Sequence, residues 1–284
     1  HLRQHQVGQG GTGGGEDPGA AREPAEKGQE VTAPGPGHVA HLVRHPVKSA
    51  GYERVEDAVL VPGAAFPFDR VWAVAHAAAR LTDPPTWAPK LQFLRGWGSP
   101  ALMAISCRSV PEAGEITLSH PDRPTATFRP DDPADAACLI DWLRPLWPEN
   151  RPEPARVIRV PGQALTDQDQ PLVSINSTAS LADLSARMGQ DLSIHRFRGN
   201  IWVEGWAPWA ELDLLGSEIT VGGARLRVEE PIGRCRATGA NPETGAQDAD
   251  TMAALEAGYG HTDFGIFARV IAGGTVRLGD EVRT

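Results

Sequence analysis

One stretch organises this chain: Gly233-Arg234-Cys235-Arg236-Ala237-Thr238-Gly239-Ala240-Asn241-Pro242-Glu243-Thr244-Gly245. It follows an alternating run of apolar and charged residues at 224–229, which predicts a β-strand. A single cysteine lies between two arginines, and an Asn-Pro turn closed by a glycine follows. Two neighbouring guanidinium charges stabilise a thiolate, so Cys235 is a candidate nucleophile or soft metal ligand. The alternative is a small apolar core residue, because most free cysteines are buried.

The overall charge limits the partners of this 284-residue protein. A total of 27 Lys and Arg against 36 Asp and Glu gives a net charge of −9. Nucleic acid and anionic membranes are therefore excluded as expected partners. An anionic ligand would need a local cluster of cations.

Cysteine usage and hydropathy indicate the cellular compartment. Cys107, Cys138 and Cys235 have no CxxC spacing, which argues against a disulfide framework, an all-cysteine zinc site or a built-in iron–sulfur cluster. No apolar run approaches the roughly 20 residues that span a bilayer, and no signal peptide opens the sequence. We expect a soluble, cytoplasmic protein.

The pattern of strands and turns predicts a mainly β fold with a few helices (α+β), arranged as two barrels joined near residue 160. We expect a disordered, glycine-rich extension at 1–37, an N-terminal β-barrel-like domain at 38–160 and a second barrel domain at 161–284. Three helices are predicted, at 133–147, after Thr178 up to Gly189, and at 250–257 before Gly258. The predicted strands include 101–105 and 193–203. A last hairpin is expected to turn at Gly273-Gly274.

Several polar side chains are candidates for binding an anion. Alternation along 193–203 would place Arg196 and Arg198 on one face, about 7 Å apart, where their charges repel unless something negative covers them. A carboxylate such as Glu204 or Glu211, or a ligand phosphate, would serve equally well.

Other polar residues have simple structural alternatives. Lys48 and Ser49 offer an ammonium and a hydroxyl, although a lone lysine is usually solvated. Arg70 could form a weak surface pair with Asp69. Asn176 and Ser177 precede a helix, where capping competes with anion binding.

Taken in order, these motifs resemble those of proteins with a MOSC domain (the molybdenum-cofactor sulfurase C-terminal type) preceded by its N-terminal β-barrel domain. The resemblance covers roughly residues 38–284. It is carried by the segments Pro46-Val47-Lys48-Ser49, Asp69-Arg70-Val71-Trp72, Arg196-Phe197-Arg198-Gly199-Asn200, Arg234-Cys235-Arg236-Ala237-Thr238, Asn241-Pro242-Glu243-Thr244-Gly245 and Gly260-His261-Thr262-Asp263-Phe264-Gly265.

The resemblance implies a molybdenum cofactor (Mo-molybdopterin), a pterin dithiolene with a phosphate tail. Cys235 would supply a thiolate to the metal, since molybdenum accepts soft sulfur donors. The residues implied in cofactor binding are Lys48, Ser49, Arg70, Arg196, Arg198, Asn200, Arg234, Thr238, Asn241 and Gly265. Arg198, with Arg196 behind it, would hold the phosphate, and Asn200 would bond the pterin.

Three functions are compatible with this implied site. The first is a reductase of N-hydroxylated or N-oxide substrates, as in the amidoxime-reducing relatives. It needs an external electron donor, a flavin, iron–sulfur or haem protein, and Asp248 or His261 would move protons. The second is a sulfur carrier with a persulfide on Cys235, supplied by a pyridoxal-phosphate cysteine desulfurase. The third is a non-catalytic cofactor carrier.

Overall fold

The computed structural model describes residues 35–284 and is built mainly from β-strands. The strands are β1 (Gly37–Arg44), β2 (Glu53–Val55), β3 (Asp57–Leu60), β4 (Trp72–His76), β5 (Ser106–Val110), β6 (Glu115–His120), β7 (Arg123–Phe128), β8 (Pro154–Arg159), β9 (Val173–Ser177), β10 (Ile201–Glu204), β11 (Glu218–Val221), β12 (Ala224–Gly233), β13 (Asp263–Ala272), β14 (Gly274–Arg277) and β15 (Glu281–Arg283). The helices are α1 (Pro133–Leu143), α2 (Thr178–Met188) and α3 (Thr251–Tyr259). The predicted mainly β class with a few helices is confirmed.

Seven of these strands close into a barrel, in the order β10-β9-β13-β12-β11-β15-β1, with β1 pairing back onto β10. Alternate residues point inward, as in β12, where Ala224, Leu226 and Val228 are buried and the residues between them are exposed. The inward side chains pack into one apolar core that includes Ile175 and Ile201. Closure leaves no unpaired edge between the first and last barrel strands.

The barrel combines strands from both ends of the described chain. β1 lies between β10 and β15, and β3 pairs with β14. Strand pairing therefore crosses the domain boundary predicted near residue 160, and that division into domains stays a prediction. The predicted extension 1–37 lies outside the described residues up to position 34, but Gly37 already belongs to β1.

The part of the chain between β3 and β9 forms a second layer of the fold. It contains a two-stranded sheet, β4 with β8, and a three-stranded sheet, β5-β6-β7. Helix α1 packs on these sheets, and Trp72, Leu118, Leu139 and Trp142 share their core. This part of the chain thus has its own apolar core built on two small sheets.

Two predicted strands are wrong because local signals start helical turns there. Residues 100–104 form a 3-10 turn with Pro100 at its first position, where the fixed φ of proline favours a helical start. Ile194–Arg196 is also a 3-10 turn, and the Ser193 hydroxyl accepts a hydrogen bond from the His195 N–H. Strand β10 begins only at Ile201, so Arg196 and Arg198 do not lie on one strand face.

The predicted last hairpin is also wrong. β13 pairs with β12 and β9, whereas β14 pairs with β3. Gly273 and Gly274 lie where segments of the chain pass close to each other. A Cβ on Gly273 would lie 2.8 Å from the Leu60 carbonyl oxygen, and one on Gly274 would collide with Gly223. Helix α3 also continues through Gly258 and ends at Gly260, which adopts the left-handed conformation with a φ of 74°.

No helix in residues 35–284 combines the length and apolar character needed to cross a bilayer. The helix ends show the expected capping. The Ser177 side chain accepts a hydrogen bond from the Ser180 N–H, so capping explains this residue. Gly189 ends α2 in the left-handed conformation. Cys138 on α1 is exposed.

Gly265 fits the barrel because it leaves space for a buried amide. Its φ is 81°, and a Cβ there would lie 2.5 Å from Asn176 Nδ2 and 2.8 Å from the Ile175 carbonyl oxygen. Asn176 is fully buried, and Gly199 makes a similarly close approach to its Oδ1. The missing side chain of Gly265 thus accommodates this chain's own asparagine.

We predict that Gly265→Ala lowers the free energy of unfolding by about 3 kcal/mol, because backbone strain and overpacking act together. Gly260→Ala is the matched control: its φ is 74° but no atom lies within 4 Å of the added Cβ. We expect it to cost about 1 kcal/mol, from strain alone. Denaturant unfolding measures both, and equal losses would contradict the packing argument.

Glu211 is a buried carboxyl that joins α2 to the turn Ala210–Leu214. Ser180 Oγ donates to Glu211 Oε2 at 2.8 Å, and no side chain or backbone group in residues 35–284 forms a hydrogen bond with Oε1. Burial raises the pKa of Glu211 to about 7, and the Ser180 hydrogen bond opposes this only in part. The folded protein therefore holds a proton here that the unfolded chain releases at lower pH.

We predict that the stability contributed by this proton is complete below pH 4.5, the ordinary pKa of glutamate, and is lost as the pH rises through about 7. Glu211→Gln, which cannot ionise, should remove this decline, on the order of 3 kcal/mol, from the pH profile. Thermal unfolding between about pH 4 and about pH 8 tests this. Parallel profiles for both proteins would show that Glu211 does not titrate in this window.

Candidate functional site

The Cys235 loop leaves the barrel at the end of β12. Cys235 precedes the 3-10 turn Arg236–Gly239, and its side chain is exposed. Its carbonyl oxygen accepts hydrogen bonds from the Thr238 N–H at 3.1 Å and the Thr238 hydroxyl at 3.0 Å. The Thr238 and Thr251 hydroxyl oxygens lie 2.6 Å apart, which ties the loop to α3. The exposed thiol excludes the alternative of a buried core cysteine.

Arg234 lies against aromatic rings and main-chain carbonyls. It donates to the Phe264 carbonyl from Nε at 2.8 Å and from Nη2 at 2.5 Å, and to the Phe197 carbonyl from Nη1 at 2.7 Å. The guanidinium also lies over both rings, 5.6 and 5.8 Å from their centroids. Within residues 35–284, no carboxylate lies within 4 Å of it. Burial lowers the pKa of Arg234 to about 9, and the nearby Cys235 charge opposes this shift.

Arg198, like Arg234, has no carboxylate within 4 Å in the described part of the chain. Its Nη2 donates to the Val47 carbonyl at 3.3 Å, and its φ of 49° places the backbone in the left-handed region. Burial, and then the Arg70 charge, lower the pKa of Arg198 to about 9. Such backbone strain in a non-glycine residue concentrates at functional sites.

Arg70 connects the charged groups of the site. Its Nη2 donates to the Arg198 carbonyl at 2.9 Å, and its Nη1 donates to Asp69. Burial alone would raise the pKa of Asp69, but Arg70 and His45 hold it well below its usual range. The Arg70–Asp69 pair therefore forms as considered from the sequence, although Asp69 is buried rather than at the surface.

Lys48 is the fourth cation of the site and lies on the side of the second layer. Its Nζ donates to Asp167 Oδ1 at 2.5 Å and to the Leu165 carbonyl at 3.0 Å, so it is a buried, paired cation and not a solvated lysine. Ser49 follows with a φ of 61°. We call Lys48, Arg70, Arg198 and Arg234 the cationic cluster. The charge of Arg70 lowers the pKa of each of the other three.

The balance of the cationic cluster is positive. Among residues 35–284, two carboxylates, Asp69 and Asp167, lie within 4 Å of its four cations, so two positive charges remain in excess there. On a protein with net charge −9, this local excess of positive charge would attract an anion.

Arg196 lies outside the cationic cluster. Its Nη1 donates to the Gly239 carbonyl at 3.0 Å and its Nη2 to Asp248 Oδ1 at 2.7 Å. Neither Glu204 nor Glu211 is its partner, contrary to that alternative. Asn241 Nδ2 donates to the other oxygen of Asp248 at 2.7 Å. Arg196 and Asn241 therefore brace the loop around Cys235, and their predicted contact with a cofactor has no support in these bonds.

Asn200 is likewise committed inside the barrel. Its Oδ1 accepts hydrogen bonds from the Ser174 N–H and hydroxyl, and its Nδ2 donates to the Val43 carbonyl at 3.1 Å. Both ends of this buried amide are occupied because it joins β1 to β9 beside the strand β10. The structure thus brings Cys235, Arg234, Arg198, Arg70, Lys48 and Ser49 toward one site, and gives internal roles to Arg196, Asn200, Asn241, Thr238 and Gly265.

Two acidic residues of the site act as counter-ions, which the sequence did not predict. Asp167 pairs with Lys48 across 119 positions, and no local sequence signal marks such a pair. Asp248 was considered as a proton carrier, but the structure ion-pairs it with Arg196. Burial alone would raise the pKa of Asp248, but hydrogen bonds from Asn241 and Arg196 hold it below its usual value. It is therefore a poor proton donor near neutral pH.

The site thus combines a closed barrel, an exposed cysteine on a loop and an excess of positive charge. Residues 163–283 match the family model of the MOSC domain, so this part of the chain is a MOSC domain. This family is associated with molybdenum-cofactor sulfurase C-terminal domains. A comparison with curated protein sequences gives no match.

Solved structures with detectable similarity are distant in sequence. The YUAD protein from Bacillus subtilis is 15% identical with a TM-score of 0.41, covering 88% of this chain and 95% of that chain. YiiM from Geobacillus stearothermophilus is 20% identical with a TM-score of 0.32, covering 39% of this chain and 52% of that chain. YiiM from Escherichia coli is 18% identical with a TM-score of 0.30 and the same coverage. The match thus spans about half the length of the two YiiM proteins.

Substitution of Arg196 and of Arg198 should change the free energy of unfolding by different amounts. Arg196→Gln breaks a buried ion pair and should cost about 2 to 3 kcal/mol in the free energy of unfolding. Arg198→Gln removes a cation that has no carboxylate partner and should change it by less than about 1 kcal/mol. Denaturant unfolding of the cofactor-free protein compares them. A larger loss for Arg198→Gln would mean that this guanidinium is a structural element of the barrel.

Proposed function

We propose that the protein binds a molybdenum pterin cofactor at the Cys235 loop and the cationic cluster, and that it reduces N-hydroxylated or N-oxide substrates. The single observation that carries this proposal is the pair Arg198 and Arg234, two largely buried guanidiniums with no carboxylate within 4 Å in the described chain. Uncompensated buried charge is costly, and a bound anion would offset it. The MOSC domain supports a cofactor of this class.

The residues present fit such a group in part. Cys235 offers an exposed soft sulfur donor. Within the described residues, Arg198 donates to protein through Nη2 alone, which leaves its other nitrogens for a phosphate. Lys48 and Arg70 are held in place by Asp167 and Asp69, so they would form a fixed wall beside it. Asn200 and Gly265 do not fit the contacts implied for them, because their neighbours within the barrel already occupy them.

A bound molybdenum pterin would supply the two-electron redox chemistry. The chain's own residues would hold and orient it: Cys235 through its thiolate, Arg198 through its guanidinium, and Arg234 by keeping the loop on the barrel. His261 Nδ1 accepts a hydrogen bond from the Asp263 N–H, so its neutral ring carries the proton on Nε2. This histidine precedes Thr262, whose carbonyl accepts a hydrogen bond from the Arg234 N–H. We propose His261 rather than Asp248 as the proton carrier.

Electrons would have to come from a separate redox protein. In residues 35–284 there is no group of three or more His, Cys, Asp or Glu side chains arranged to hold a metal ion. The three cysteines of the chain also lack the spacing for an iron–sulfur cluster. A flavin, iron–sulfur or haem protein would supply them.

We predict that Cys235→Ala abolishes bound molybdenum and the reduction of an N-hydroxylated amidine by an artificial electron donor. Both are measured on protein expressed in a host that makes the cofactor, by metal analysis and turnover. Because Cys235 is exposed, the unfolding midpoint should stay within a few degrees of the wild type. Cys138→Ala, which also removes an exposed thiol, should retain metal and turnover. Full metal content in Cys235→Ala would exclude this residue as the ligand.

The exposure of Cys235 also favours a second function, sulfur transfer. An exposed thiol can reach the active site of a pyridoxal-phosphate cysteine desulfurase and receive a persulfide from it. Protein that lacks molybdenum but gains one sulfur atom at Cys235, detected by peptide mass spectrometry after incubation with a desulfurase and cysteine, would establish this function. Molybdenum without turnover would instead indicate a cofactor carrier.

A further inference from the structure

A group of arginines surrounds one exposed tryptophan beside the Cys235 loop. The guanidinium carbons of Arg95, Arg151 and Arg236 lie 5.2, 5.3 and 5.7 Å from the centroid of the Trp97 ring. The tryptophan is 41% exposed, although its size would favour burial. We call these four residues the Trp97 patch.

The patch is assembled from three separate segments that are held firmly. Behind Trp97, a Cβ on Gly98 would lie 2.7 Å from the Trp147 ring, and Ser99 Oγ donates to the Leu146 carbonyl at 2.5 Å. Trp147 Nε1 donates to the Pro152 carbonyl at 3.0 Å, which fixes the chain next to Arg151. The backbone that carries Trp97 and Arg151 is therefore preorganised, which lowers the entropic cost of binding a partner.

The charges of the patch are not neutralised. In the described part of the chain, no carboxylate lies within 4 Å of Arg95, Arg151 or Arg236. The distances to the common ring place any two of the guanidinium carbons at most about 11 Å apart, close to a Debye length at physiological salt. Three positive charges thus act together on a protein whose net charge is −9.

The position of the patch links it to the thiol. Arg236 directly follows Cys235, so their Cα atoms are separated by a single step of about 3.8 Å. Gly96 lies against Ala237, since a Cβ on Gly96 would be 3.3 Å from that side chain. A partner bound at Trp97 would therefore lie next to the Cys235 loop.

We propose that the Trp97 patch docks the acidic face of a separate protein that exchanges electrons or sulfur with the site at Cys235. What is exchanged rests on the proposed function; the docking does not. Arginine and tryptophan dominate the energetics of protein interfaces, and complementary charge speeds encounter. The cavities of about 670 Å³ along α2 and about 330 Å³ beside Tyr52 are lined by other residues. An exposed ring fringed by guanidiniums suits a broad carboxylate-bearing surface.

The test uses a fluorescently labelled poly-L-glutamate of about 30 residues and the full chain at low salt, with binding followed by fluorescence anisotropy. We expect the triple variant Arg95→Gln, Arg151→Gln, Arg236→Gln to bind at least about tenfold more weakly than the wild type. Raising the salt to about 200 mM should weaken wild-type binding as well. All three side chains reach the surface, and an unchanged unfolding midpoint shows that the variant is folded.

The matched control is Arg80→Gln, Arg156→Gln, Arg277→Gln, which changes net charge equally at exposed arginines with no carboxylate within 4 Å in the described chain. We expect less than about a twofold change in its affinity. Equal weakening by both triples would overturn the proposal, since binding would then follow net charge. Complete displacement of the peptide by millimolar citrate or phosphate would also overturn it, in favour of a small-anion site. Retained binding in Cys235→Ala would support docking even if the molybdenum proposal failed.

Discussion

The site depends on two largely buried guanidiniums that have no carboxylate partner among residues 35–284. Arg198 donates to the Val47 carbonyl, and Arg234 donates to the carbonyls of Phe197 and Phe264. Carbonyl dipoles offset only part of the cost of removing a charge from water, and the pKa of each arginine falls to about 9 as a result. A bound anion, as proposed, would offset this cost.

Closure of the barrel produces this arrangement. Because β1 pairs with β10, the turn that follows β1 comes to lie against the segment that precedes β10. Val47 and Lys48 thereby reach Arg198 and Asp167, which are more than a hundred positions away in sequence. The Cys235 loop is added by β12 on the same barrel and is braced by the Arg196–Asp248 pair. One topological feature thus brings the turn after the first described strand and the exposed Cys235 to one site.

Sequence patterns predicted those elements that depend on residues close together in the chain. The strand over 224–229 and the capped helix α2 follow from alternation and cap chemistry within a few residues. The strand predicted over 193–203 failed because alternation cannot reveal a 3-10 turn followed by the left-handed Arg198. The roles of Asn200 and Gly265 also escaped prediction. Whether an amide faces a ligand or joins strands depends on neighbours that only the fold supplies, here Ser174 and Asn176.

The central claim is that the cationic cluster and Cys235 together hold one metal-bearing anion. Crystals of the protein purified from a host that makes the molybdenum cofactor test it most directly, through anomalous diffraction at the molybdenum edge. The account predicts an anomalous peak at bonding distance from Cys235 Sγ, with an anionic group in contact with the Arg198 guanidinium. A fully occupied peak elsewhere, or density showing Arg198 and Arg234 each paired with a carboxylate of this chain, would contradict it.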